Sequence, residues 1–358
     1  MWLSRRIHGL LVACLILGTA LGAPSAATAG GPLESVAART KLAGVPDWAK
    51  PAVRYLIAGD MLGKERIRPN QAVTRAEFTM MMKKAFGGGY SKSRGNVTAG
   101  EVSAALVRKL GRKPLARRLA HAKSPNGWDP DLGGRFGTEV VARELGLRHD
   151  RPTSEERKEA ASDDPMSLAD VAWALWKAKT APNTYAADAL ADFSLANYQG
   201  VRRDVVAFAL SLAGSPYVWA GEWPQRTPDG YPYGAQPSGG FDCSGFIWYV
   251  LQKKSAAYSP RGRTYAGWSL PQRSSADMAA AVRPKKRLRY REFKPGDIVL
   301  FAPGGRDSKA SSVYHAGLYM GRGWIVHSSG SRAGVSLAEI GPGSWWHSQI
   351  FAGRRIIR

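Results

Sequence analysis

A single cysteine at the head of an apolar helix pattern constrains this chain more than any other feature. Phe241-Asp242-Cys243-Ser244-Gly245 is followed by Phe246, Ile247, Val250 and Leu251. Counted from Cys243 these lie at +3, +4, +7 and +8, the spacing of one helix face. The thiol therefore opens a helix and sits over its buried side, approached through the flexible Ser238-Gly239-Gly240. At a helix N-terminus the dipole and the free amides favour the thiolate and lower the thiol pKa. The same amides are placed to hold a tetrahedral oxyanion.

The 358 residues include one other cysteine, Cys14. It falls in a segment where Arg5 and Arg6 precede an apolar stretch from Leu10 to Leu21 and then Ala27-Thr28-Ala29. A basic start, a short apolar run and an A-x-A site read as a secretory signal peptide over residues 1–29. The mature protein is thus expected to be secreted, with one thiol. An exported thiol without a partner is buried, intermolecular or reactive, and the surroundings of Cys243 favour the last. Losing Arg5 and Arg6 lowers the net charge from +23 to +21. Such an excess calls for an anionic partner, and export redirects it from nucleic acid to cell-wall polymer. The cysteine count excludes a disulfide scaffold and a Cys-rich zinc site. His and Asp spacing offers no metal site.

A thiolate nucleophile needs a base. Tyr314 to Met320 and Trp324 to His327 both read as strands, with Gly321-Arg322-Gly323 as a three-residue hairpin loop. If Met320 pairs with Trp324, Gly317 pairs with His327. His315 and His327 then share one sheet face as diagonal neighbours, with Cβ atoms about 7 Å apart. An even-numbered loop would put them on opposite faces. On the shared face, His315 takes the proton of Cys243 and His327 orients the imidazole, the logic of a triad. His121, His149 and His347 have ordinary packing or surface contexts.

Upstream, Val73-Thr74-Arg75-Ala76-Glu77-Phe78, Val97-Thr98-Ala99-Gly100-Glu101-Val102 and Met166-Ser167-Leu168-Ala169-Asp170-Val171 each open a helix pattern. Each places Thr or Ser three residues before an acid, the capping-box arrangement. Three copies predict repeated helical units over residues 30–182, a linker at 183–199 and a second domain at 200–358. With Trp48 to Leu56 and Arg68-Pro69-Asn70, the first copy resembles S-layer homology modules. That resemblance implies a helical prism binding an anionic secondary cell-wall polymer. Arg75 would hold the anion, and it is replaced by Ala99 and Leu168 in the other copies.

The segment from about Arg202 to Arg358 resembles the NlpC-type cell-wall cysteine peptidases. The resemblance rests on Gly214-Ser215-Pro216-Tyr217-Val218-Trp219-Ala220-Gly221, the Cys243 block, Lys294 to Phe301, His315-Ala316-Gly317-Leu318-Tyr319, the His327 strand and Phe351 to Ile356, in that order. It implies an α+β papain-like domain with an antiparallel sheet and a cysteine at a helix N-terminus. It makes Cys243 the nucleophile, His315 the base and His327 the polar third member. Tyr217 would line the cleft, and Asp242 with Ser244 would contact substrate. The implied reaction is hydrolysis of the γ-D-glutamyl to diamino-acid bond in peptidoglycan stem peptides, through an acyl-enzyme and with no metal or cofactor. A non-catalytic wall-binding protein is one competing reading. An acyltransferase or amidase acting outside peptidoglycan is another. The inserts Glu222 to Gly240, Arg261 to Arg273 and Arg283 to Arg291 are expected to reshape or cover the cleft.

Overall fold

The computed structural model of the protein describes residues 42–62, 67–88, 94–226, 236, 238–251 and 270–357. The expected signal peptide lies outside the described residues. A short 3-10 turn, Asp47–Ala49, leads into α1 (Lys50–Ala58), followed by α2 (Arg75–Phe86), α3 (Ala99–Lys109), α4 (Lys113–Ala120), α5 (Gly133–Glu144) and α6 (Leu168–Thr180).

The three repeated motifs start α2, α3 and α6, the first two as full capping boxes. The Thr74 hydroxyl accepts from the Glu77 amide while Glu77 Oε2 accepts from the Thr74 amide at 2.7 Å. Thr98 and Glu101 repeat this reciprocal pair at α3. At α6 the acid is the shorter Asp170, so its carboxylate takes the Ser167 hydroxyl at 2.6 Å and Arg151 at 2.7 Å. The residues before the boxes then interlock. Val97 N donates to Val73 O, Met166 N to Val97 O and Val73 N to Met166 O. The first residue of each helix adds a second ring: Arg75 N to Gly95 O, Ala99 N to Asp164 O and Leu168 N to Gln71 O. The repeats therefore close on one another in cyclic order, which satisfies backbone groups that would otherwise be orphaned at the helix starts.

Residues 183–199, expected to link two domains, are packed. They hold α7 (Thr184–Ala189), and Leu190, Phe193, Leu195 and Tyr198 are buried. Then come α8 (Gly200–Ser211), β1 (Glu222–Trp223), β2 (Gly240–Phe241), α9 (Cys243–Leu251) and α10 (Ser275–Ala280). The chain continues through β3 (Ile298–Phe301), β4 (His315–Gly321), β5 (Trp324–Ser329), β6 (Gly334–Glu339), α11 (Trp345–Ser348) and β7 (Ile350–Arg354). A five-stranded antiparallel sheet has the order β6-β5-β4-β3-β7, and β1 pairs with β2 beside it. Helix α9 packs on β4 and β5.

The β4–β5 hairpin departs from the expected pairing. Gly321, not Met320, pairs with Trp324, so the turn holds two residues, Arg322 and Gly323, both at positive φ (52° and 81°). That is the geometry of a tight primed turn. The register slips between Tyr319 and Gly321, and beyond it Tyr319 pairs with Ile325 and Leu318 with Val326. The bulge adds back the residue that the turn lacks, and continuing the register sets Gly317 opposite His327. A two-residue loop therefore still leaves both histidines on one face.

Leu42–Arg358 form one compact unit, and a single apolar core runs from the α1–α6 helices to α8, α9 and the sheet. Arg143 on α5 crosses this boundary. Its guanidinium donates to the carbonyls of Ala333, Arg332 and Gly214, the last at 2.8 Å. Glu144 accepts from Arg332 Nε at 2.7 Å and Ser336 Oγ at 2.9 Å.

Candidate active site

The Asp242-Cys243-Ser244-Gly245 segment is fixed by close backbone approach. A Cβ on Gly245 would lie 1.9 Å from the Gly221 carbonyl oxygen, so only glycine fits there. Asp242 Oδ1 accepts from the Gly245 amide at 2.6 Å, which caps α9 and aims Cys243 inward. Cys243 is 8% exposed, and its sulfur lies 3.9 Å from the Tyr314 carbonyl oxygen, next to His315.

The thiol differs from the sequence expectation in one respect. Burial, and then the charge of Asp242, push its pKa up to about 12; the amides of Ala316 and Ser244 and the charge of Arg273 offset this only in part. Desolvation of the anion outweighs the helix terminus here. His315 is pushed the other way, down to about 3, by burial. Both shifts favour the uncharged forms, a thiol and an imidazole.

His315 Nε2 and His327 Nδ1 are 2.7 Å apart. Such a bond needs one hydrogen, and a His315 that accepts a proton at Nδ1 must carry its own on Nε2. His327 Nδ1 then accepts, and the His327 hydrogen sits on Nε2. That nitrogen is buried without a hydrogen-bond partner among the described residues. Burial, the neighbouring His315 and the Arg332 charge hold His327 well below the ordinary histidine pKa, consistent with a neutral acceptor. Trp346 lies along the His315 ring, with centroids 4.9 Å apart and planes 30° apart, and meets His327 edge-on at 5.5 Å. The sequence placed Trp345-Trp346-His347 in ordinary packing. That holds for His347, whose Nδ1 lies 3.0 Å from the Ile340 carbonyl oxygen. It misses Trp346, because a contact between α11 and the start of β4 leaves no local signal.

Asp242 and Ser244, expected to contact substrate, are engaged by Arg273, which is 6% exposed. Its NH1 donates to Asp242 Oδ1 at 3.0 Å and Ser244 Oγ at 2.9 Å, its NH2 to Asp242 Oδ2 and Gly221 O, and its Nε to Glu222 Oε2 at 2.9 Å. Arg273 is thus an internal clamp, whereas the sequence placed it in a loop over the cleft. A lone Arg in a basic stretch does not reveal a half-buried acid 31 residues away and a buried one 51 residues away. Residues 261–269 of that stretch, and 227–235 and 237 of the earlier insert, lie outside the described residues. Leu288, in the remaining basic insert, exchanges backbone hydrogen bonds with Gly353 on the edge strand β7.

Tyr217 is partly buried, and its amide donates to Ala333 O at 3.3 Å. Burial, followed by the charges of Cys243, Asp242, Asp150 and Glu156, raises its phenol well above the usual value. Two of those acids come from the turn between α5 and α6, and Glu156 accepts from the Trp219 amide at 2.8 Å.

Residues 214–355 match the model of the NlpC/P60 family. A probable endopeptidase of Mycobacterium tuberculosis is 33% identical over 130 residues, which cover 36% of this chain and 24% of that protein. The gamma-DL-glutamyl hydrolase of Bacillus subtilis is 33% identical over 151 residues, covering 42% of this chain and 28% of the relative. The matched region thus spans about a quarter of the length of these curated relatives. Among solved structures, RipD of Mycobacterium tuberculosis, described as a non-catalytic NlpC/p60 domain protein, is 23% identical with a TM-score of 0.30, over 45% of this chain and 100% of that one. The peptidoglycan hydrolase RipB of the same organism is 26% identical with a TM-score of 0.30, over 45% of this chain and 69% of that one. Residues 214–355 of this chain are an NlpC/P60 domain.

Proposed function

We propose that the protein is a secreted cysteine endopeptidase that hydrolyses peptidoglycan stem peptides at the γ-D-glutamyl to diamino-acid bond. The observation that carries this reading is the buried His315–His327 pair at 2.7 Å, with the Cys243 sulfur 3.9 Å from the carbonyl oxygen of Tyr314, the residue before His315. Substrate binding brings a carbonyl carbon to Sγ, and the thiol proton passes to His315 Nδ1. The new imidazolium keeps its Nε2–H on His327 Nδ1, which supports the charge. Sulfur adds to the carbonyl, and the amides at the start of α9 support the oxyanion. His315 returns the proton to the departing amine, leaving a thioester. Water, deprotonated by the same imidazole, then releases the acid and restores the thiol.

Tyr217 lines the cleft in this reading, while Asp242 and Ser244 act on substrate through the geometry that Arg273 sets. Export through residues 1–29 and attraction of the basic chain to anionic wall polymer belong to the same proposal. Net charge supports the latter better than Arg75 does, since Arg75 is already paired with Glu101 at 2.9 Å.

The test is to incubate the full mature chain with purified muropeptides and identify products by mass spectrometry. Cleavage of the γ-D-glutamyl bond that disappears in Cys243→Ala and His315→Ala supports the proposal. Intact stem peptides, or cleavage that survives Cys243→Ala, overturns it. The deep burial of the thiol favours a second reading, wall binding without turnover, which predicts retention on wall sacculi with no products.

A further inference from the structure

Residues 283–294 hold seven cations and a single acid, Glu292. Two 3-10 turns, Pro284–Lys286 and Tyr290–Glu292, flank Leu288. Leu288 exchanges backbone hydrogen bonds with Gly353 at 3.0 and 2.9 Å, which ties the segment to β7 at one edge of the five-stranded sheet. Arg287 strengthens that tie, with its guanidinium 4.5 Å from the centre of the Phe351 ring and its Nε 3.4 Å from the Val282 carbonyl oxygen.

The other six cations, Arg283, Lys285, Lys286, Arg289, Arg291 and Lys294, are all exposed. None of them has an ion-pair partner among the described residues. The adjoining acids are occupied. Glu292 Oε2 accepts from the Arg289 amide at 2.7 Å, and the carboxylate of Asp297, just past the segment, is bound by Arg355 at 2.7 Å. Exposed like charges anchored on one segment repel each other, and an anionic partner offsets that repulsion. Guarding the sheet edge does not account for them, because the Leu288 backbone already pairs with that edge.

The rest of the segment narrows the partner. Its two aromatic rings are turned to the interior, where Tyr290 and Phe293 pack on each other at 5.8 Å and on Tyr319 in the smaller apolar core. Among the described residues, none of the exposed large apolar side chains falls within 283–294. Single strands of nucleic acid are held by rings on which the bases stack, and a membrane surface takes an apolar face beside the charges. This patch offers charge alone, which suits a flexible linear polyanion. Export, expected from residues 1–29, points the same way.

We propose that residues 283–294 bind a linear anionic polymer of the cell wall, one with a phosphodiester or a carboxylate in each short repeat. The proposal rests on the wall attraction stated above and places it on the NlpC/P60 domain, not at Arg75, which is paired with Glu101. The guanidiniums of Arg283, Arg289 and Arg291 can each take two oxygens of one anionic group, and the lysines add point charges. Strand β3 lies between β7 and β4, the strand that bears His315. Polymer held along this edge therefore tethers the enzyme through strands other than the one that carries its base.

The experiment is a fluorescence-anisotropy titration of the full mature chain against labelled poly(glycerol phosphate) and labelled polygalacturonate, over a range of salt. Saturable binding of at least one polymer is expected. Lys285→Gln, Lys286→Gln, Arg289→Gln and Arg291→Gln combined should weaken it by about tenfold or more. The slope of log K against log salt should fall by about 0.7 for each lost contact, as for a flexible polyanion. A control with Arg75→Gln, Lys83→Gln, Lys113→Gln and Arg117→Gln removes equal charge from the helical region and should keep most of the affinity. Circular dichroism checks both folds. Should the first variant not fold, Lys285→Gln with Lys286→Gln is expected to give about half its change in slope. Equal loss in patch and control variants, or none in the patch variant, overturns the location and leaves wall attraction standing. No saturable binding of either polymer by the unaltered chain overturns both. Tighter binding to a single-stranded oligodeoxynucleotide or to phosphatidylglycerol vesicles overturns the partner.

Discussion

Burial shifts both Cys243 and His315 toward their uncharged forms. A thiol with its pKa near 12 reacts slowly with alkylating agents, because the thiolate is the nucleophile. Iodoacetamide should modify the folded protein at least about tenfold more slowly than free cysteine near pH 8, with the rate still climbing above pH 9. A denatured control should react at the free rate. Mass spectrometry of the Cys243 peptide over time reads the result, and fast labelling at neutral pH would show a preformed thiolate. His327 acts through His315. His327→Leu should lower kcat by about a hundredfold, in the range of general acid–base effects. It should also cost roughly 1–3 kcal/mol in unfolding experiments, because the buried His315 Nε2–H loses its acceptor. His327→Asn, which can still accept at its amide oxygen, should recover part of kcat.

The helix starts are where the sequence spoke most directly. Thr74 and Thr98 each make a reciprocal capping box with the acid three residues on. Thr74→Ala and Thr98→Ala should each cost about 1 kcal/mol in denaturant unfolding. Both boxes were legible because capping is local, closed within four residues of chain. The cyclic bonding of Val73, Val97 and Met166 was legible only as a repeat, since sequence spacing says nothing about which copies touch. The hairpin between β4 and β5 shows the opposite limit. The shared face of His315 and His327 is as expected, but through a tight turn plus a bulge. A Gly-Arg-Gly stretch permits several turns, and the packing of the sheet selects one.

At the scale of the whole molecule, the helical part and the NlpC/P60 domain share a core, and α5 is the hinge of that contact. Arg143 is 1% exposed and holds carbonyls on both the Gly214 and Ala333 segments. Arg143→Met should destabilise the protein by roughly 3–5 kcal/mol, the cost of stranding a buried partner charge, here Glu139. It should also raise KM more than it lowers kcat, because Tyr217 donates its amide to Ala333. Denaturant midpoints and steady-state kinetics check the two halves. The same interface region holds Glu159, whose pKa burial raises from 4.5 to about 8. Between those values the folded chain keeps a proton that the unfolded chain has lost, so this group makes stability fall as pH rises from about 4.5 to 8. Glu159→Gln should flatten that slope, with its advantage largest near pH 8 and absent below pH 4.5. Unfolding midpoints measured across that window test the sign.

The sequence by itself determined the local chemistry: the amphipathic face that puts Cys243 at a helix start, the capping boxes, the strand patterns bearing His315 and His327, and the glycine-bound turns. Each depends on residues a few positions apart, where helix and strand periods leave little choice. Only the tertiary structure decided what surrounds those groups. It buried the thiol and set Arg273 between Asp242, Ser244 and Glu222. It laid Trp346 along His315 and drove Arg143 into the other half of the molecule. Those outcomes depend on side chains tens to nearly two hundred residues apart. Desolvation and long-range pairing, which no spacing rule encodes, set the state of the site.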